Sequence, residues 1–153
     1  QVDDDPAHWA VAGLSNGGTC AMQVVTRSPG VYRTFLAISA EEHTTLGSVE
    51  RTISQGFGGD RAAYEANDPI SLMAAAPPGR YDGIAGILSV GRQDTSYRGA
   101  VPVLAEAATR AGMTVSTRQY DGAHTWAVWG PALADQLDWL GGRLGIASPS
   151  PAS

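Results

Sequence analysis

A layered α/β domain, built on a mostly parallel sheet with helices on both faces, is the fold this sequence predicts. Three observations carry that expectation. Short apolar runs of strand length (Trp9 to Leu14, Phe35 to Ser39, Gly86 to Val90) lack alternation, as strands covered on both faces require. Segments of helical length and period separate them, and such an order implies parallel strands joined by right-handed crossovers. Finally, Ser15, Asp94 and His124 each fall just past the end of a strand, the rim where sheets of this kind gather their reacting groups.

Taken in order, residues 1–7 form an acidic, turn-like lead (Asp3-Asp4-Asp5-Pro6) into the first strand. Asn16 to Arg27 reads as a helix stopped by Ser28-Pro29-Gly30. Phe35 to Ser39 is a second buried strand. Residues 40–78 contain no convincing strand. Short helices are expected at Ser48 to Gln55 and Ala62 to Ala66, and Asp68-Pro69 opens another with proline at its first position. So long an excursion is where a cap or binding loop sits. Gly86 to Val90 is the third strand. Gly99 to Ala111 is helical, with Val101, Leu104 and Ala108 on one face and Gly112 as its stop. Thr114 to Tyr120 alternates and reads as an edge strand. Pro131 to Leu144 reads as the last helix, with Leu133, Leu137, Leu140 and Leu144 on one stripe. Residues 147–153 hold only Ser, Pro and Ala and read as a disordered tail.

The 153 residues, 43% hydrophobic and 16% charged, suffice for one domain with a real core, here residues 1–146. The net charge is −5 and the ten basic residues, all arginine, are scattered, which argues against a nucleic-acid partner. With one cysteine, Cys20, no intrachain disulfide can form. It lies one turn into the first helix and is expected to be a small buried residue against the sheet. No apolar run approaches the ~20 residues that span a bilayer.

The first strand runs into Gly13-Leu14-Ser15-Asn16-Gly17, a G-x-S-x-G turn. A serine thrust out of a sharp strand-to-helix turn takes strained dihedrals and brings backbone close, and glycine two before and two after removes side chains that would collide. The following helix aims its N-terminus at the serine, so the Asn16 N–H is the natural first donor of an oxyanion hole. A serine hydroxyl needs a base in contact. His124, in the loop after the fourth strand, has the position for it. His43 reads as a solvated loop residue, with a substrate-facing role as the alternative, and His8, at the other end of the first strand, as structural. Asp94, after the third strand, is the preferred acceptor for the base, with Asp121 as competitor. Glu41 and Glu42 follow the second strand within reach of the site, and their preferred reading is a hydrated loop. Trp126 and Trp129 are candidates to shape an apolar substrate pocket. No metal or organic cofactor is implied.

The order GLSNGG, SVGRQD, DGAHTWAVW resembles the α/β-hydrolase superfamily. Within it the chain is similar to the esterase family that holds esterase D, the feruloyl and siderophore esterases and the antigen 85 mycolyltransferases. The matching residues are Gly13-Ser15-Gly17-Gly18, Gly91-Asp94 and Gly122-His124-Trp129, with Asn67-Asp68-Pro69-Ile70 before the acid-bearing strand. The resemblance implies Ser15 as nucleophile, Asp94 as acid and His124 as base, acting on a small-molecule or glycolipid-type ester through an acyl-enzyme. It also implies a secreted or cell-envelope location as one expectation. Transfer of the acyl group to a sugar hydroxyl, and a non-catalytic scaffold, are the alternative readings. Members of that family carry early strands ahead of the elbow. The chain is therefore expected to be the C-terminal half of a hydrolase domain, with the other half its partner and the source of the second oxyanion donor.

Overall fold

The computed structural model describes residues 3–146, so the tail expected at residues 147–153 lies outside the described residues. Four strands, β1 (Ala10–Leu14), β2 (Thr34–Ile38), β3 (Ala85–Gly91) and β4 (Thr114–Tyr120), form one sheet in the order β1-β2-β3-β4. Every pairing is parallel. The register aligns Leu14 with Ile38, Ile38 with Ser89 and Ser89 with Arg118, so all four strands end along one rim.

Helices α1 (Asn16–Arg27), α4 (Pro69–Ala74) and α5 (Ala100–Arg110) share one apolar core with one face of the sheet. Met22 and Val25 of α1, Met73 of α4 and Leu104 of α5 meet Phe35, Ala37, Leu88 and Val90 there. Full burial of each large aliphatic or aromatic side chain contributes about 1.5–3 kcal/mol. The opposite face is covered by α6 (Trp126–Arg143), which touches β2 and β3. Both faces thus carry helices, and β2 and β3 are buried along their whole lengths. β4 alternates in exposure, as its edge position requires. β1 forms the other edge among the described residues and is only half-buried.

Between β2 and β3 lie three short helices, α2 (Val49–Gly56), α3 (Arg61–Glu65) and α4. Helices this short do not hold in isolation. Each is started by a side-chain cap: Ser48 Oγ accepts from Arg51 N at 3.2 Å, Asp60 Oδ1 from Ala63 N at 2.9 Å and Asp68 Oδ2 from Ser71 N at 3.0 Å. Pro69 follows its cap at the first position, where the missing N–H costs nothing.

Four local expectations are corrected. The last helix begins at Trp126 rather than Pro131, which lies inside it. The chain turns at Thr125, whose carbonyl accepts from Val128 N and Trp129 N, and burial of Val128 fixes that first turn ahead of the proline. The leucine stripe of α6 is not its buried face: Val128, Ala132 and Gln136 are buried, while Leu133 and Leu137 are exposed. Cys20 is exposed, because α1 turns Gly18, Thr19, Ala21, Met22 and Val25 inward and Cys20 falls on the outer side. Gly17 has open space where a Cβ would stand; the crowded glycines of the elbow are Gly13 and Gly18.

Gly86 of β3 lies under the Phe35 ring, and a Cβ there would stand 2.2 Å from two ring carbons. Phe35 is wholly buried and has nowhere to retreat. Gly86→Ala should therefore destabilise the fold by about 1–3 kcal/mol, read as a lowered thermal midpoint, whereas Gly99→Ala, with open space around it, should leave that midpoint within about 0.5 kcal/mol.

Candidate active site

The elbow is a backbone construction. Ser15 takes φ 52 and ψ −125, outside the wells an L-residue normally fills. Its N–H donates to Ile38 O at 2.8 Å, while its carbonyl accepts from Gly18 N and Thr19 N. A Cβ on Gly13 would stand 2.0 Å from Gly17 O, and one on Gly18 would stand 2.7 Å from Ile38 O. These two glycines let α1 turn back against β1 and β2. The N–H of Asn16, first residue of α1, lies ahead of the first intrahelical bonds at the positive end of the helix dipole.

Two further loops reach the same rim. Gly91 ends β3 where a Cβ would meet Gly122 O at 2.3 Å. That close approach lets Arg92 N donate to Tyr120 O at 2.8 Å and Gln93 N to Gly122 O at 3.0 Å. Gln93 Oε1 in turn accepts from Gly122 N at 2.5 Å. Gly122 itself has φ 131, which only glycine adopts readily. The loop carrying Asp94 and the loop carrying His124 are thereby bonded to each other.

Three predicted residues are brought together. Ser15 Oγ lies 2.8 Å from His124 Nε2, and His124 Nδ1 lies 2.8 Å from Asp94 Oδ2. Asp94 is 2% exposed, and its other oxygen accepts from Tyr97 N at 3.2 Å. A carboxylate in this setting accepts the Nδ1 proton and leaves the Nε2 lone pair for the serine hydroxyl. Asp121 points elsewhere: exposed, it pairs with Arg92 at 2.5 Å. His8 pairs with Asp3 at 2.6 Å, far along the strand from the rim.

The imidazole of His124 is held on two sides by rings. Tyr97 stacks on it, centroids 4.3 Å apart at 21°, and Trp129 meets it edge-on at 4.8 Å and 87°. Trp129 Nε1 donates to Ser39 Oγ at 3.3 Å. Trp129 is thus a support for the imidazole, while Trp126, stacked T-wise on Trp129, is 70% exposed. Burial raises the Tyr97 hydroxyl above its usual range, helped by the charges of Glu41 and Asp94, so it stays protonated at neutral pH.

Sequence reasoning missed several members of this neighbourhood. Tyr97 and Gln93 carry no motif, although both flank Asp94. Ser39 is signalled only by its place at a strand end, where it adopts φ 51. His43 is not a solvated loop residue: its Nδ1 lies 3.0 Å from Asp68, a carboxylate with no exposure at all. Glu41 and Glu42 are half-buried and line a cavity of about 850 Å³ beside Tyr97. Among the described residues no group of three or more His, Cys, Asp or Glu side chains is arranged to hold a metal ion, and no helix is long and apolar enough to cross a membrane.

A parallel sheet whose first described strand ends in a left-handed serine, with helices on both faces, is the architecture of the α/β-hydrolase fold. Solved structures with this architecture match closely. A ferulic acid esterase superposes with a TM-score of 0.75 at 24% identity, covering 94% of this chain and 55% of its own. The S-formylglutathione hydrolase from Agrobacterium tumefaciens gives 0.73 at 24%, covering 92% and 51%. An uncharacterized protein of Corynebacterium glutamicum is 38% identical over 149 residues, 95% of this chain and 35% of that protein. The family model described as "Putative esterase" matches residues 1–140, and the chain belongs to that family. It spans about a third of the length of its bacterial relative and about half the length of the two solved enzymes.

The Nδ1–Asp94 contact should give a downfield imidazole proton resonance in the NMR spectrum. Asp94→Ala should remove that resonance, and Asp121→Ala should leave it in place.

Proposed function

We propose that this chain carries the reacting groups of a serine esterase, which cleaves carboxylic esters through an acyl-enzyme. The single observation behind the reading is the hydrogen-bonded series Ser15 Oγ, His124 Nε2, His124 Nδ1, Asp94 Oδ2, with both links at 2.8 Å. Family membership supports the same chemistry.

Ser15 Oγ attacks the ester carbonyl while His124 Nε2 takes its proton. The Asp94 carboxylate stabilises the imidazolium that forms and keeps the ring in one tautomer. Negative charge grows on the carbonyl oxygen, where the Asn16 N–H and the dipole of α1 oppose it. Collapse of the tetrahedral adduct breaks the bond to the alcohol, which leaves with the proton from His124. Water then enters, loses a proton to His124 and adds to the acyl carbon; the bond to Ser15 Oγ breaks, that oxygen takes the proton back from His124, and the acid leaves. The second oxyanion donor is assigned to residues ahead of the elbow strand.

The chain is also read as the C-terminal half of a hydrolase domain, residues 3–146 supplying the described part. The half-buried β1 edge, with Ala12 open on the α6 side and Leu133 and Leu137 exposed on α6 itself, supports this reading. An unpaired apolar edge is otherwise a pairing hazard.

In the intact protein, Ser15→Ala should abolish both hydrolysis of a short-chain p-nitrophenyl ester and covalent labelling by a fluorophosphonate. Asp94→Asn should lower kcat by about 10⁴-fold, as a wrong tautomer does in other Ser-His-Asp enzymes. Asp121→Asn should change kcat less than about threefold, in keeping with an exposed pair. Retention of full activity in Ser15→Ala overturns the reading.

A further inference from the structure

A second aspartate–histidine pair lies beside the first and takes no part in the chemistry just described. Asp68 is wholly buried, yet every group that meets its carboxylate can donate to it. Ser71 N lies 3.0 Å away, Ser71 Oγ 2.9 Å, the Tyr64 hydroxyl 3.3 Å and His43 Nδ1 3.0 Å. The two carboxylate oxygens have acceptor capacity for all four. The contact with Asp68 places a ring proton of His43 on Nδ1. Nε2 is left with a lone pair, on a side chain still 31% exposed.

His43 lines the cavity of about 850 Å³, together with Glu41, Glu42, Ser96 and Tyr97. Tyr97 is shared by the two sites: it lines the cavity, and its ring stacks on His124 at 4.3 Å. The cavity therefore adjoins the reacting imidazole. Glu41 is tied back into its own loop through Thr45 N at 3.2 Å and Thr45 Oγ1 at 3.0 Å, which fixes its charge at the wall. Two carboxylates repel an anionic group at this site. A part-exposed imidazole nitrogen with a lone pair asks for a hydrogen-bond donor, and the hydroxyls of Ser96 and Tyr97 suit an uncharged polar guest.

We propose that this cavity receives an uncharged, hydroxyl-bearing portion of the ester, and that His43 Nε2 accepts a hydrogen bond from that hydroxyl. His43 is then a specificity residue, and Asp68 positions it. The inference rests on Ser15 being the nucleophile of the same site.

The test compares kcat/KM for ω-hydroxyalkyl butyrates of two to six carbons with alkyl esters of equal length. A second series places the hydroxyl on the acyl chain of an ethyl ester, which distinguishes the two sides of the scissile bond. One hydrogen bond of this kind contributes roughly a tenfold preference at the chain length that reaches His43. In His43→Leu the hydroxy-to-alkyl ratio should fall to about one. In His43→Gln, whose amide can donate to Asp68 and offer an oxygen to the cavity, most of the ratio should return. Fluorophosphonate labelling at Ser15 confirms that each variant is folded. The inference is overturned if the wild type prefers no hydroxy ester in either series, if His43→Leu keeps the preference, or if both ester types lose equally. A wild-type protein that hydrolyses no ester and takes no label overturns the nucleophile assignment, and this inference with it.

Discussion

A left-handed serine at the end of a parallel strand is costly, of the order of 1–3 kcal/mol, and the neighbouring structure is shaped by the need to hold it. The 2.8 Å bond from Ser15 N to Ile38 O anchors the strained residue to the next strand. Gly13 and Gly18 permit the approach that makes the bond possible, because a side chain on either would strike backbone. Once the turn is closed, α1 has only one direction in which to run. It packs Met22 and Val25 onto Phe35 and thereby fixes the layer that α4 and α5 complete. Local strain and global packing are the same arrangement seen at two scales.

A comparable logic holds the other two loops. The imidazole must arrive at the serine from a loop more than a hundred residues downstream, since the Ser15–His124 contact spans 109 positions. Such a contact has a large closure entropy. It is met by bonding the last loop to the one before it, through Gly91, Gln93 and Gly122, and by stacking Tyr97 on the ring while Trp129 meets it edge-on. The ring is oriented before any substrate enters, which is where preorganised sites gain their advantage.

Much of this was legible in the residues, and the parts that were not share a cause. G-x-S-x-G, Gly91 with Asp94, and Gly122 with His124 are local patterns, and Gly13, Gly91 and Gly122 stand where a side chain would strike its surroundings, whereas Gly17 stands in open space. Short apolar runs gave β2 and β3, where burial on both faces removes alternation; the run expected to be covered likewise at Trp9 to Leu14 forms β1, which is half-buried at the edge of the described sheet. What depends on which way a helix rotates in the assembled layers escaped: Cys20 turned outward, the α6 leucines exposed and Gln136 buried in their place, bonded to Ser89 at 2.6 Å. Proline at position 131 reads as a helix start from sequence alone, yet packing of Val128 sets the start a turn and more earlier. The His43–Asp68 pair joins residues 25 apart across the excursion, and no spacing rule announces it.

The strands stand in the sheet in the order in which they occur in the chain. Each new strand can therefore join the rim left by its predecessor, and β1 to β4 can be laid down vectorially as the polypeptide leaves the ribosome. Ser15 is among the earliest of these residues to emerge and His124 among the last. Until the loop that carries His124 has been made, the Ser15 hydroxyl has no imidazole beside it.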